Sequence, residues 1–295
     1  MRRDYQVRDV APYINWIYFF HAWGFGPRYA VVANLHDCEA CRRSWQASFP
    51  SEVERNKAEE AAKLFLEARR MLRELDGRIR VQIAFRLCVA NSDGNDLLLD
   101  DVRLPLLRQQ ASTSPDGICL CLSDFVRPLD AGVPDKVGVF AASVDDLTEV
   151  SSANDDYHLL LIQTLSDRLV EAGVELMHLE VRKSVWGYSP NEDLPVAALH
   201  AEAFQGIRPA VGYPSLPDQS INFILDRLLD FSSIGVRLTE HGAMHPHASV
   251  SGLMFAHPAA RYFSIGSIGE DQLADYAARR GMTTETIRRF LNRNC

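Results

Sequence analysis

The stretch RIRVQIAFRLCVANSDGNDLLLDD, Arg78–Asp101, decides the fold class. Apolar and polar side chains alternate over its first half. Val81, Ile83, Phe85 and Leu87 therefore share one face, the period-two pattern of a half-buried strand. NSDGND then supplies turn chemistry, and the leucines after it begin a short returning strand. ICLCLSDFV (118–126) and VGVFAAS (137–143) predict two more buried strands, joined by the turn-rich RPLDAGVPDK. Strands and helices do not alternate here as β-α-β units. The pattern favours a mixed α+β fold over a doubly wound parallel sheet.

Helical patterns flank these strands. SEVERNKAEEAAKLFLEARRMLREL (51–75) reads as an amphipathic helix, with Ser51 as N-cap and Ala62, Leu64, Leu66, Met71 and Leu72 along its apolar stripe. Residues 155–185 carry the strongest helical periodicity, with Leu161, Leu165 and Leu169 recurring on one side. Short helices are expected near 194–204 and 218–230, and strands at GVRLTE (235–240), LMFAHP (253–258) and RYFSIG (261–266). A helical pair ends the chain, with Gly281 as its internal stop.

Composition limits the function. The 295 residues are 47% hydrophobic, enough for a sizeable core, and the net charge of −8 argues against a general pull toward nucleic acid or an anionic membrane. YINWIYFF is too short to span a bilayer, and no apolar segment follows the charged N-terminus as in a signal peptide. A cytoplasmic protein is expected. G-x-G-x-x-G after a strand, Walker A and G-x-S-x-G motifs are absent from the sequence.

Cys38 and Cys41 form C-x-x-C, Cys119 and Cys121 form C-x-C, and Cys88 and Cys295 stand alone. Neither a four-cysteine zinc site nor a redox role for CEAC is favoured over ordinary buried thiols. His241, His245 and His247 are punctuated by Gly242 and Pro246, which argues for a loop, so no metal is expected there.

QGIRPAVGYPSLPDQ (205–219) holds three prolines and two glycines, too much punctuation for a regular element. Prolines would hold this chain open, Gly212 would allow close backbone approach, and Arg208 would offer a planar fork to a carboxylate. Such a segment suits a ligand wall; it equally suits a stiff surface loop. Asp167 and Glu171 sit four residues apart and share a helix face, as a solvated acidic face also would.

Taken in order, several segments resemble the activation domain of cobalamin-dependent methionine synthase: YINWIYFF, VANSDGNDLLLDD, LRQQ followed by LCLSDFV, DDYHLLLIQTLSDRLVEA, VWGYSPNEDL, QGIRPAVGYP, HASVSGLMFAHPAARYFSIG and DQLADYAARRGM. The resemblance spans nearly the whole chain. It implies a single C-shaped α+β domain over 1–295, with a mostly antiparallel twisted sheet and flanking helices, that binds S-adenosylmethionine. The architecture departs from the family's full enzyme, which carries homocysteine, folate and cobalamin modules before this domain: the sequence begins almost at the domain's start, so a free-standing activation subunit is expected.

Its implied role is reductive methylation of cob(II)alamin on a separate cobalamin-binding methionine synthase subunit, with an electron from flavodoxin or a similar donor. The protein would be inactive without that cobalamin partner. Carried over residue by residue, Arg208 would meet the methionyl carboxylate and the Ala210 backbone the adenine. Gly212 and Tyr213 would shape the adenosine pocket. Tyr262 would fix the methionyl group, with Phe263 beside it and Glu202 as a further polar contact. Asp167 and Glu171 would face the corrinoid.

Asn15 stands where the family's Y-I-D-W carries aspartate, a neutral acceptor in place of a charged one, so weaker binding of the ligand's ammonium is expected. Two alternatives follow: a docking partner of a corrinoid protein with weakened S-adenosylmethionine binding, or a reactivation subunit for another corrinoid methyltransferase. HDCEACRRSW (36–45) has no recognised counterpart in the family.

Overall fold

The structure, a computed structural model, describes residues 1–112, 117–145 and 156–291. In chain order the elements are β1 (Arg2–Gln6), α1 (Val7–Val10), α2 (Trp16–Ala22), α3 (Glu39–Ala47), α4 (Glu52–Leu75), β2 (Arg80–Asp93), β3 (Asp96–Leu99), β4 (Val102–Pro105) and β5 (Asp135–Val144). They continue as α5 (Asp156–Glu180), α6 (Val196–His200), α7 (Ile221–Leu229), β6 (Arg237–Leu238), β7 (Met244–His245), β8 (Ser249–Met254), α8 (Glu270–Arg280) and α9 (Thr284–Phe290). No helix among the described residues is long and apolar enough to cross a membrane.

The fold is mixed α+β. The main sheet runs β4-β3-β2-β5-β8, with β1 on β2. β2–β3, β3–β4 and β5–β8 pair antiparallel, and the expected hairpin closes where Asp93 opposes Asp96. The alternation works as read: Val81, Ile83 and Phe85 are fully buried.

The chain forms two compact units. One comprises Met1–Arg3, Gln82–Ser143 and 177–295; the other Asp4–Val81 and Val144–Leu176. In the first, Leu97, Val139, Leu225, Leu253 and Phe255 belong to one apolar core. Leu273, Tyr276 and Ile287, from the C-terminal helical pair, belong to a smaller one. Gly281 adopts φ +65° after α8, the stop the sequence predicted.

In the second unit, Ser51 Oγ accepts the Glu54 N–H while the Glu54 carboxylate accepts the Ser51 N–H, a reciprocal cap that starts α4. Trp16 packs edge-to-face on Phe19 and Phe65, and Tyr29 stacks on Phe49. Within the aromatic N-terminal stretch Phe19 and Phe20 are fully buried, while Tyr18 is exposed.

Four strand expectations need correction. Residues 118–126 form no strand. They bridge once, Arg108 to Cys121, and then enter a 3-10 turn over Leu122–Phe125. Asp124 causes this: its carboxylate accepts the Cys121 N–H at 2.8 Å and pairs with Arg108. Burial, not pleat, explains the apolar run.

Residues 261–266 are likewise irregular. Their polar groups go to loops, with the Ile265 N–H donating to the Pro214 carbonyl and Gln109 donating to that of Ser264. Finally, β8 begins at Ser249, four residues before the expected LMFAHP strand, and GVRLTE contributes only the two-residue β6. The expected helix at 155–185 is α5 followed by a π-turn over Val181–Val185; residue 155 lies outside the described residues.

Candidate functional site

The segment 205–219 contains more order than its prolines suggested. Ile207 and Phe255 exchange backbone hydrogen bonds of 3.0 and 2.9 Å. The Leu253 N–H donates to the Pro209 carbonyl, and that of Val211 to the Ser251 carbonyl. Residues 207–211 therefore lie antiparallel along β8, as an irregular edge strand. Pro209 faces β8 and accepts from Leu253 but has no N–H to return, so the ladder lacks one bond there. Burial alternates accordingly. Ile207, Pro209 and Val211 are buried, while Arg208 and Ala210 are half-buried on the other face.

Two glycines make this geometry possible. A Cβ on Gly252, opposite Ala210, would lie 2.3 Å from the Pro209 carbonyl oxygen and 2.9 Å from the Ala210 Cα. Gly212 takes φ +87° in the turn closed by the Tyr213 N–H on the Ala210 carbonyl. A positive φ at this third turn position is the type II requirement that glycine satisfies without strain. Tyr213 follows, largely exposed.

Arg208 is held from two sides. Its backbone N–H donates to the Tyr262 hydroxyl at 3.0 Å, and its Nη1 lies 3.3 Å from His178 Nδ1. Arginine can only donate, so His178 Nδ1 accepts and Nε2 carries the proton. Nε2 then donates to the Tyr188 hydroxyl at 3.2 Å. Burial, followed by the charges of Arg208 and Arg182, holds His178 well below the usual histidine range, so it is neutral. Burial likewise pushes the Tyr188 phenol up, keeping it protonated.

Arg182 sits in the π-turn after α5. It is fully buried, makes a bidentate ion pair with Glu192 at 2.7–2.8 Å, and stacks 3.9 Å over the Phe204 ring. Its Nη1 has no hydrogen-bond partner among the described residues. Phe204 also meets His178 edge-to-face and lies under Arg208 at 5.6 Å. An open depression of about 410 Å³, lined by residues 189–194 and 203–205, adjoins Glu192 and Phe204.

The structure therefore brings together Arg208, Ala210, Gly212, Tyr213 and Tyr262, all near one edge of β8. Phe263 is half-buried, packs on both apolar cores of this unit and meets Phe125 edge-to-face; it supports the chain beside Tyr262. Glu202 follows α6 at φ +55° and is exposed. The sequence reading passed over His178, Arg182, Tyr188 and Glu192. The first two stand four apart on one helical face and the last two lie in the quoted VWGYSPNEDL, but only the fold shows that they converge on Arg208.

The remaining candidates belong to the other unit. Asp167 and Glu171 are half-buried on α5, and Glu171 pairs with Arg168 at 3.0 Å. Asn15 is the N-cap of α2, its Oδ1 accepting the Ile17 N–H at 3.1 Å. Among the cysteines, Cys88 and Cys121 are buried; burial pushes the Cys88 thiol up to about 12 and raises that of Cys121.

The family model described as "Vitamin B12 dependent methionine synthase, activation domain" matches residues 6–281. The chain belongs to this activation-domain family. A solved structure agrees: a crystal structure of the MetH reactivation domain bound to AdoHcy is 32% identical. The match covers 100% of this chain and 89% of that one, with a TM-score of 0.85. The activation-domain fold, with its mixed helices and antiparallel sheet, is thus shared along the whole chain.

Proposed function

We propose that this activation domain binds S-adenosylmethionine along the half-exposed face of segment 208–213. There it supports reductive methylation of cob(II)alamin carried by a cobalamin-dependent methionine synthase protein. The observation behind this reading is the similar reactivation domain captured with AdoHcy, which is what S-adenosylmethionine becomes on losing its methyl group. When bound to its own protein and reduced by one electron from a flavodoxin-like or other donor, the corrinoid supplies the nucleophile that takes the methyl group.

The chain's own residues do the positioning. Arg208 meets the ligand's carboxylate with a planar, permanently charged fork. The neutral His178 anchors Arg208 Nη1 without placing a second positive charge behind it. Tyr262, bonded to the Arg208 backbone, fixes the methionyl end, with Phe263 packed beneath. The Ala210 backbone reads the adenine, the Gly212–Tyr213 turn shapes the adenosine pocket, and Glu202 adds a polar contact. Asp167 and Glu171 as corrinoid-facing groups, and Asn15 as a contact to the ligand's ammonium, rest on the sequence resemblance.

The test is a reductive methylation assay: this chain, a separately prepared cobalamin protein and a one-electron donor. Loss of the cob(II)alamin spectrum that depends on both S-adenosylmethionine and this chain is expected. No conversion, with S-adenosylmethionine shown to be bound, would remove the assigned chemistry while leaving the binding site standing.

One observation favours a second reading, a corrinoid-protein docking chain with weak S-adenosylmethionine binding. Asn15 carries no charge, and its Oδ1 is engaged in capping α2.

A further inference from the structure

His36, Cys38 and Cys41 fall on the HDCEAC stretch that has no recognised family counterpart. Cys38 is the N-cap of α3, and the spacing of a helical turn brings Cys41 back beneath it. Cys38 Sγ accepts the Cys41 N–H at 3.3 Å. His36 reaches the same point because the Cys38 N–H donates to the His36 carbonyl at 2.8 Å, folding residues 36–38 tightly. One ligating atom from each residue lies within 4.8 Å of the other two, and this is the only such group among the described residues.

We infer that His36, Cys38 and Cys41 form a site for a zinc-type thiophilic cation, with three protein ligands and an open fourth position. Tetrahedral zinc with two sulfurs at ~2.3 Å and one nitrogen at ~2.0 Å needs ligand atoms about 3.5–3.8 Å apart. Closing from at most 4.8 Å to that spacing asks any two ligand atoms to approach by no more than about 1.3 Å. Two soft thiolates and an imidazole select zinc-type ions over magnesium or calcium. An amide hydrogen bond to Sγ and the N-terminus of α3 both favour the thiolate, the form that ligates.

The neighbouring carboxylate does not compete as a ligand. Asp37 is held by Arg69 at 2.9 Å and by Arg42 at 3.3 Å. His36 is exposed and both cysteines are half-buried, so the fourth position faces solvent and takes water. Binding displaces the two thiol protons and leaves a neutral centre: one dication, two thiolates and one imidazole.

Titration of the reduced, metal-free full chain with cobalt(II) and then zinc tests this. The expected result is one equivalent bound per chain, with sulfur-to-cobalt charge-transfer absorption that zinc removes, proton release, and a rise in Tm. Cys41→Ser and Cys38→Ser should each lower the charge-transfer absorption per bound cobalt, the double variant abolishing it, and each should weaken binding more than about 100-fold, beyond the loss typical of an outer-shell partner. Ser at position 38 remains a good N-cap, so that variant still folds. His36→Ala should weaken binding while keeping the sulfur absorption. Undiminished cobalt absorption in the Cys38→Ser/Cys41→Ser double variant would overturn the assignment. So would a chain that takes up no metal and instead shows a Cys38–Cys41 disulfide by mass.

Discussion

At the residue scale the site depends on how Arg208 is held, and His178 is the unexpected member. Its pKa lies below the unfolded value of ~6.5, so the unfolded chain binds the extra proton first. The stability contributed by this neutral histidine is complete above that value and is lost as pH falls below it, by at most about 1.4 kcal/mol per pH unit. Urea unfolding at pH 7 and at pH 5.5 should therefore show a smaller stability difference for His178→Gln than for the parent chain. Equal differences would mean that His178 is not buried neutral. Asn15 gives a second prediction. Asn15→Asp preserves the α2 cap and adds a charge, so S-adenosylmethionine affinity should rise by about 1–2 kcal/mol, roughly 5- to 30-fold. Unchanged affinity in a calorimetric titration would remove Asn15 from the ligand's surroundings.

At the scale of elements, the pairing of residues 207–211 with β8 sets the position of Arg208. Gly252→Ala would press a methyl group against the Pro209 carbonyl and the Ala210 Cα. A cost of about 1–3 kcal/mol in urea unfolding is expected, together with weaker ligand binding, since the segment must lift from β8. A variant as stable as the parent would mean that this close approach is not maintained. This pairing was not legible in the sequence. Prolines and glycines hid an edge strand, because periodicity methods read only the segment itself and not its partner. The reverse error occurred at 118–126, where an apolar run looked like a strand and Asp124 turned it into a capped turn. Long periodic elements were legible: Ser51 marked the start of α4, and the Val81–Phe85 alternation marked β2, because their signals are local.

At the scale of the whole chain, the family was legible because many individually weak motifs stand in one order from end to end. The candidate ligand wall was legible for the same reason: Arg208, Ala210, Gly212 and Tyr213 lie in one quoted stretch. Tyr262 followed from the resemblance, but His178 and Tyr188 did not: His178 meets Arg208 from 30 residues away and Tyr188 meets His178, both only through the fold. The central claim is that this activation domain holds S-adenosylmethionine through Arg208. Calorimetric titration of the full chain with S-adenosylmethionine, beside Arg208→Lys and Arg208→Ala, tests it most directly. The account predicts one site per chain, binding weakened at least about 10-fold by Lys, which keeps the charge but loses the fork, and weakened further by Ala. Absence of heat and of any thermal shift at millimolar ligand, or equal affinity in all three proteins, would contradict it.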